Sequence, residues 1–236
     1  MDGIAANLEA ARERIAAACA RAGRAAGTVR LVAVSKTYGP EAVRAAAAAG
    51  QRLFGENRVQ EAAAKMPECP GNLEWHLIGH LQGNKAAAAA RLFDWVHSVD
   101  SAKLLEALDR HAGEAGRRLE VLLQVNVSGE RAKSGLAPEA AEGVLERGNA
   151  LKNVQVRGLM TIPPLAEDPE AARPHFRALR ELRDALARRT GAELAELSMG
   201  MTHDLEAAIE EGATYVRVGT GIFGARNAFR AGEERG

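Results

Sequence analysis

Leu31-Val32-Ala33-Val34-Ser35-Lys36-Thr37 is an apolar strand that ends on a single lysine, and Tyr38-Gly39-Pro40 leads from it into a helical stretch. The pattern reads as the first βα unit of an α/β protein. A lysine at a buried strand end is costly to desolvate unless its amine has a task there. Desolvation favours the neutral form of an amine, and a neutral amine attacks an aldehyde to form a Schiff base. The competing reading is a lysine on the exposed end of its strand. Two stretches near the other end of the chain favour the first reading: Ser198-Met199-Gly200-Met201-Thr202 and Gly219-Thr220-Gly221 are the small, hydroxyl-bearing turns that a phosphate needs.

Outward from Lys36, strand-like runs recur at 30–35, 52–55, 74–79, 94–98, 120–127, 154–160, 194–198 and 214–219. Stretches of helical period, rich in Ala, Glu and Arg, separate them. Examples are 40–49, 59–65, 101–115, 138–147, 170–189 and 204–211. Eight strands alternating with helices predict one (β/α)8 barrel, a fold that takes roughly 250 residues, whereas a doubly wound sheet has fewer strands. Ile4, Leu8, Ala11 and Ile15 at helical spacing add an N-terminal helix over 1–27. No linker or internal repeat interrupts the chain, so one domain over 1–236 is expected, with a polar, frayed tail at 227–236.

Composition excludes several classes. Lys+Arg and Asp+Glu both number 31, which leaves no field for nucleic acid or acidic lipid. No run approaches ~18 uninterrupted apolar residues, so no membrane span is expected. Cys19 and Cys69 have no metal-ligand spacing and suit reduced thiols in a cytoplasm. Arg21, Arg24 and Arg30 read as cations decorating a helix end.

In such barrels the ligand lies at the C-terminal strand ends, with phosphate held by the loops after the last two strands. The expected chemistry therefore falls at Lys36, Asn57, His80, Ser98, Asn126, Met160, Ser198 and Gly219. Backbone N–H groups near Gly200, Gly219 and Thr220, with the Ser198 and Thr220 hydroxyls, are candidates for the phosphate. Arg217 lies within the last strand and by alternation shares a face with Tyr215. It is either a salt-bridge partner, for instance of Glu56, or an always-charged donor to the ligand. Asn57 bonds a ring substituent or caps the following helix. His80 donates to a ligand or is structural, as is His76. Met160 packs on a planar ring or fills the core. His203 is expected in solvent on the first turn of a helix.

Read in order, the motifs resemble the pyridoxal phosphate homeostasis proteins (the YggS/PROSC type), single barrels similar to the N-terminal domain of alanine racemase. The resemblance runs from about Leu31 to Arg226. It rests on Val34-Ser35-Lys36-Thr37, Phe54-Gly55-Glu56-Asn57, Trp75-His76-Leu77-Ile78-Gly79-His80, Val125-Asn126-Val127-Ser128, Gly158-Leu159-Met160-Thr161, Leu197-Ser198-Met199-Gly200-Met201-Thr202 and Val216-Arg217-Val218-Gly219-Thr220-Gly221. It implies that Lys36 carries pyridoxal 5'-phosphate as a Schiff base, that Ser198, Gly200, Gly219 and Thr220 hold the phosphate, and that Arg217 faces the pyridine nitrogen. Arg58, Leu77, Gly83 and Thr202 stand where the family often has tyrosine, phenylalanine, serine and serine.

Pyridoxal phosphate catalysis uses a protonated ring as an electron sink, and an arginine facing the ring nitrogen cannot supply that proton to it. The sequence given ends about ten residues after the last motif, so no second, site-closing domain is expected. These readings predict a cytoplasmic, monomeric pyridoxal phosphate holder that buffers or delivers the cofactor, with cofactor-free enzymes as partners and no catalytic residue of its own. The alternatives are a weak amino acid racemase or lyase, and a barrel acting on a sugar phosphate through a Lys36 Schiff base.

Overall fold

The computed structural model describes residues 3–130 and 133–224, so the tail expected at 227–236 lies outside the described residues. The helix α1 (Ile4–Arg21) precedes the barrel and buries the predicted stripe of Ile4, Leu8, Ala11 and Ile15, extended by Ala18 and Cys19. It ends six residues short of the expected boundary at 27. Gly23 adopts a left-handed φ of 66°, and the Arg24 N–H turns back to the Cys19 carbonyl, which closes the helix.

Eight parallel strands then form a closed barrel in sequence order, β1 pairing with both β2 and β8. They alternate with helices: β1 (Arg30–Val34), α2 (Pro40–Ala48), β2 (Leu53–Glu56), α3 (Val59–Lys65), β3 (Glu74–Leu77), α4 (Ala86–Leu92), β4 (Trp95–Val99) and α5 (Ala102–Glu114). The second half continues with β5 (Leu119–Gln124), α6 (Ala141–Asn149), β6 (Val154–Met160), α7 (Arg173–Thr190), β7 (Glu196–Met201), α8 (Leu205–Glu210), β8 (Tyr215–Val218) and α9 (Thr220–Phe223). This is the predicted (β/α)8 barrel with an added N-terminal helix.

Alternation along each strand sorts the side chains. Leu31, Ala33, Phe54, Leu77, Val96, Leu123, Leu197, Val216 and Val218 pack outward against the helices in one core. Alanine-rich α2 and α4 bury Ala46, Ala47, Ala86, Ala89 and Ala90, whose small side chains let the helices lie close on the sheet. Charge enters near the strand starts: Arg30 and Glu196, the first residues of β1 and β7, pair with each other, and Arg157 of β6 pairs with Glu120 of β5. Arg30 therefore does not decorate a helix end, as expected; its guanidinium lies 3.8 Å over the Tyr215 ring. Arg21 and Arg24 tie α1 to α8 through Glu210 and the Ile209 carbonyl.

Two strand ends differ from the expected ones in ways that set the site. β5 stops at Gln124, because the Asn126 N–H turns to the Leu136 carbonyl. β7 runs to Met201, three residues further than predicted, with a register shift against β8 between Ser198 and Met201. Gly200 permits the continuation at a φ of 89°, and an added Cβ there would stand 2.5 Å from Ala208 of α8.

Candidate functional site

A cavity of about 540 Å³ opens at the C-terminal ends of the strands. Its lining includes Lys36, Asn57, His80, Arg217, Gly219 and Thr220, six of the residues singled out from sequence. Val34, Ile78 and Ile162 provide its apolar walls, and Gln124, Lys133, Thr202 and His203 complete much of its polar lining. The described lining contains three cationic side chains, Lys36, Lys133 and Arg217, and no carboxylate. That balance suits an anionic ligand.

Lys36 lies two residues past the end of β1 and is half-buried. No hydrogen bond or ion pair engages its amine among the described residues, so the amine is free to meet a ligand. The backbone that presents it is braced from behind. The buried Lys65 amine donates to the Ser35 carbonyl at 2.7 Å and to Glu56 Oε1 at 2.6 Å, and the Ser35 hydroxyl donates to the same carboxylate oxygen. Burial pushes the Glu56 carboxyl above its ordinary range, while Lys65 and Ser35 pull it back. Thr37 alone among the described non-glycine residues has a positive φ, 67°, immediately after the lysine.

Across the cavity the last two turns touch. An added Cβ on Gly221 would lie 2.9 Å from the Thr202 methyl and 3.4 Å from its hydroxyl. Glycine there lets the loop after β8 press against the loop after β7. The Ile222 and Phe223 N–H groups bond back to Gly219, leaving the first N–H groups of α9 without an intrahelical acceptor. Tyr38 closes the side of this turn, its hydroxyl donating to the Gly224 carbonyl at 2.7 Å and its ring 5.0 Å from that of Phe223.

Arg217 is 3 % exposed at the cavity floor. Its Nη1 donates to Ser198 Oγ at 2.6 Å and its Nη2 to the Thr161 carbonyl at 2.9 Å. Burial lowers its pKa to about 10, which leaves it cationic at neutral pH. Glu56 is not its partner; that carboxylate lies behind β2 with Lys65.

Ser198 and Gly200, expected at the phosphate, stand apart from the cavity lining. Because β7 runs on to Met201, Ser198 lies below the mouth, fully buried, with its hydroxyl against Arg217 and His97. Gly200 faces α8. Neither lines the cavity, and Thr202 presents the hydroxyl there instead. Met160 is wholly buried and fills the barrel beside Gln124 and Ser198. Ser98 bonds the Gly79 carbonyl, and Asn126 braces its own loop through the Glu130 carbonyl. Asn57 does not cap α3, where Arg58 is the N-cap; it lines the cavity beside Gly79, whose missing side chain lets the two loops meet. His80 is exposed at the rim, 3.1 Å from Asp100. His203 is exposed, as expected, yet lines the cavity and bonds the Glu167 carbonyl.

His97 had no sequence signal of its own. It is fully buried, linked to His76 and Ser198 at 2.9 Å each, and alternation from the noted His76 through the neighbouring strand would have found it.

The family described as alanine racemase, N-terminal domain, matches residues 6–227. A pyridoxal phosphate homeostasis protein of Aquifex aeolicus is 47% identical over 215 residues, 91% of this chain and 94% of that one. Another, from Pseudomonas aeruginosa, is 48% identical over 228 residues, 96% and 97% of the two chains. Among solved structures, PipY of Synechococcus elongatus PCC7942 with PLP bound is similar at a TM-score of 0.80 and 45% identity, covering 90% of this chain and 99% of that chain.

Proposed function

This chain belongs to the pyridoxal phosphate homeostasis proteins, within the alanine racemase N-terminal domain family, and we propose that it holds pyridoxal 5'-phosphate on Lys36 in order to buffer or deliver it. The observation that carries the assignment is the cavity itself: an unpaired lysine amine, a buried arginine and a pair of touching turns converge on one carboxylate-free lining. Bound pyridoxal 5'-phosphate supplies an aldehyde that lysine amines attack and a ring that withdraws electrons.

In this reading the residues divide the work. Lys36 provides the nucleophilic amine. Thr202 Oγ1, with the backbone of Gly219 and Thr220, holds the phosphate at the start of α9, where N–H groups and small residues admit it. Val34 and Ile78 would flank the ring, and Asn57 and His80 would lie on its rim. Arg217 meets the ring nitrogen as a donor only, because its guanidinium stays charged and is already committed to Ser198 and Thr161. Arg217 so placed would supply no proton to the ring nitrogen and would leave the ring a weak electron sink, which fits slow turnover.

The relatives' name favours holding over catalysis, while the racemase family keeps a weak racemase or lyase as the second reading. On this account the protein works as a cytosolic monomer, its free cysteines Cys19 and Cys69 reduced, and its partners are the cofactor and enzymes that lack it. The experiment mixes the cofactor-loaded protein with a cofactor-free aminotransferase, and separately supplies it with common amino acids. Recovery of aminotransferase activity, with amino acid turnover far below ~1 s⁻¹, is expected. Turnover at that rate without cofactor transfer would establish the enzyme instead.

A further inference from the structure

A chain of hydrogen bonds runs through the barrel from the cavity floor to the opposite end. Arg217 Nη1 lies 2.6 Å from Ser198 Oγ, and Ser198 Oγ lies 2.9 Å from His97 Nδ1. His97 Nε2 lies 2.9 Å from His76 Nδ1, and His76 Nε2 lies 2.9 Å from Glu74 Oε1. Ser198, His76 and His97 are fully buried, and Glu74 is the first residue of β3, at the end of the strands away from the cavity.

The two termini fix every proton between them. A guanidinium only donates, and a carboxylate only accepts. Ser198 Oγ therefore accepts from Arg217, and its own proton goes to His97 Nδ1. A neutral imidazole has one N–H, so His97 carries it on Nε2 and donates to His76 Nδ1. His76 in turn donates from Nε2 to Glu74. The reverse order would make Ser198 Oγ accept from two donors and strand its hydrogen. It would also require a cationic His76, with Arg30 close to the same rings. Burial pulls both histidines below their ordinary pKa, which agrees with the neutral arrangement. Stacking of His76 on Trp95, an edge contact of His76 with Tyr215 and a tilted contact of His97 with Tyr215 hold the rings in place.

We propose that Glu74, His76, His97 and Ser198 form a one-directional relay that positions and polarises the Arg217 guanidinium for the cofactor ring from the far end of the barrel. The ring contact rests on the proposed function; the relay's direction does not. Hydrogen bonds in series polarise one another, so the charge on Glu74 strengthens the grip of Ser198 on Arg217. With Nη1 on Ser198 and Nη2 on Thr161, the guanidinium keeps one orientation toward the cavity. These four are positioning residues, since none of them lines the cavity.

The direction is read first, in cofactor-free protein, from the ¹⁵N resonances of the histidine rings. Both histidines neutral with the proton on Nε2 is the expected result. A His97 protonated on Nδ1, or a cationic His76 at neutral pH, would overturn the relay whether or not the protein binds pyridoxal phosphate. The influence on the site is read from the ring-¹⁵N shift and the Kd of bound cofactor in three variants. Ser198→Ala and Glu74→Gln should move the shift and raise Kd about three- to tenfold. Glu120→Gln, at the same end of the barrel but paired with Arg157 off the relay, should leave both unchanged. Glu74→Gln removes no buried packing, so it remains informative if Ser198→Ala fails to fold. An equal shift from Glu120→Gln, or no shift from Glu74→Gln, would defeat the proposal. Failure of the wild-type protein to take up the cofactor would instead refute the proposed function and leave the tautomer result standing.

Discussion

Lys36 is presented by backbone that would not hold this shape unaided. The residue after it, Thr37, takes a positive φ that costs a side chain of order 1 kcal/mol or more. The buried Lys65–Glu56–Ser35 group offsets that cost by tying down the preceding carbonyl and hydroxyl. Among the described residues Glu56 Oε2 has no partner, so the carboxylate depends on the bonds to its other oxygen. Lys65→Met should strand that carboxylate and destabilise the protein by about 3–5 kcal/mol, read as a shift in the urea unfolding midpoint at constant slope. A loss under 1 kcal/mol would mean that the brace is dispensable. At Arg217 the geometry separates two basic residues of equal charge. Arg217→Lys cannot bond Ser198 and Thr161 in parallel while also reaching the cavity. It should weaken cofactor binding about tenfold or more in an equilibrium titration. Unchanged affinity would place Arg217 outside the ring site.

At the scale of elements, the site depends on how far β7 runs. The alternation of 194–198 suggested a strand ending at Ser198, because nothing local announces that Gly200 continues the strand rather than turning it. The structure extends β7 by three residues, which lowers Ser198 to the relay and raises Thr202 to the cavity. The barrel, its strand count, Lys36, Arg217 and the turn at Gly219 were legible, since each rests on local pattern. Thr202 in place of Ser198, and His97 beneath both, depend on register across strands, which one strand's pattern does not contain. Two substitutions test this geometry. Thr202→Val should weaken binding of pyridoxal 5'-phosphate about tenfold and leave pyridoxal, which lacks the phosphate, nearly unaffected in the same titration. Equal losses for both ligands would move the phosphate elsewhere. Gly200→Ala should destabilise the fold by about 2–4 kcal/mol, because its Cβ meets Ala208 at a φ unfavourable to alanine. An unchanged melting temperature would contradict the described turn.

Across the whole molecule, a barrel with a charged base, a histidine-lined interior and a cationic mouth makes stability depend on pH. His76 and His97 are buried, and their pKa values are lowered from 6.5 in the folded state. Below about pH 6.5 the unfolded chain takes up protons that the native rings refuse, so stability is lost as pH falls. The slope approaches about 1.4 kcal/mol per pH unit for each histidine until its folded pKa is reached. Glu56 and Asp204, raised by burial, act in the opposite sense above the ordinary carboxylate range. Comparing wild type with His97→Gln isolates one ring: between pH 6.5 and 5.5 the variant's stability should fall less steeply by about one proton. Parallel curves would mean that His97 is protonated in the native state. The measurement that bears most directly on the central claim is borohydride reduction of the protein loaded with pyridoxal 5'-phosphate, followed by peptide mapping. One cofactor fixed on Lys36 is the predicted result. Fixation on Lys133, the other lysine of the described lining, or on none, would contradict the account.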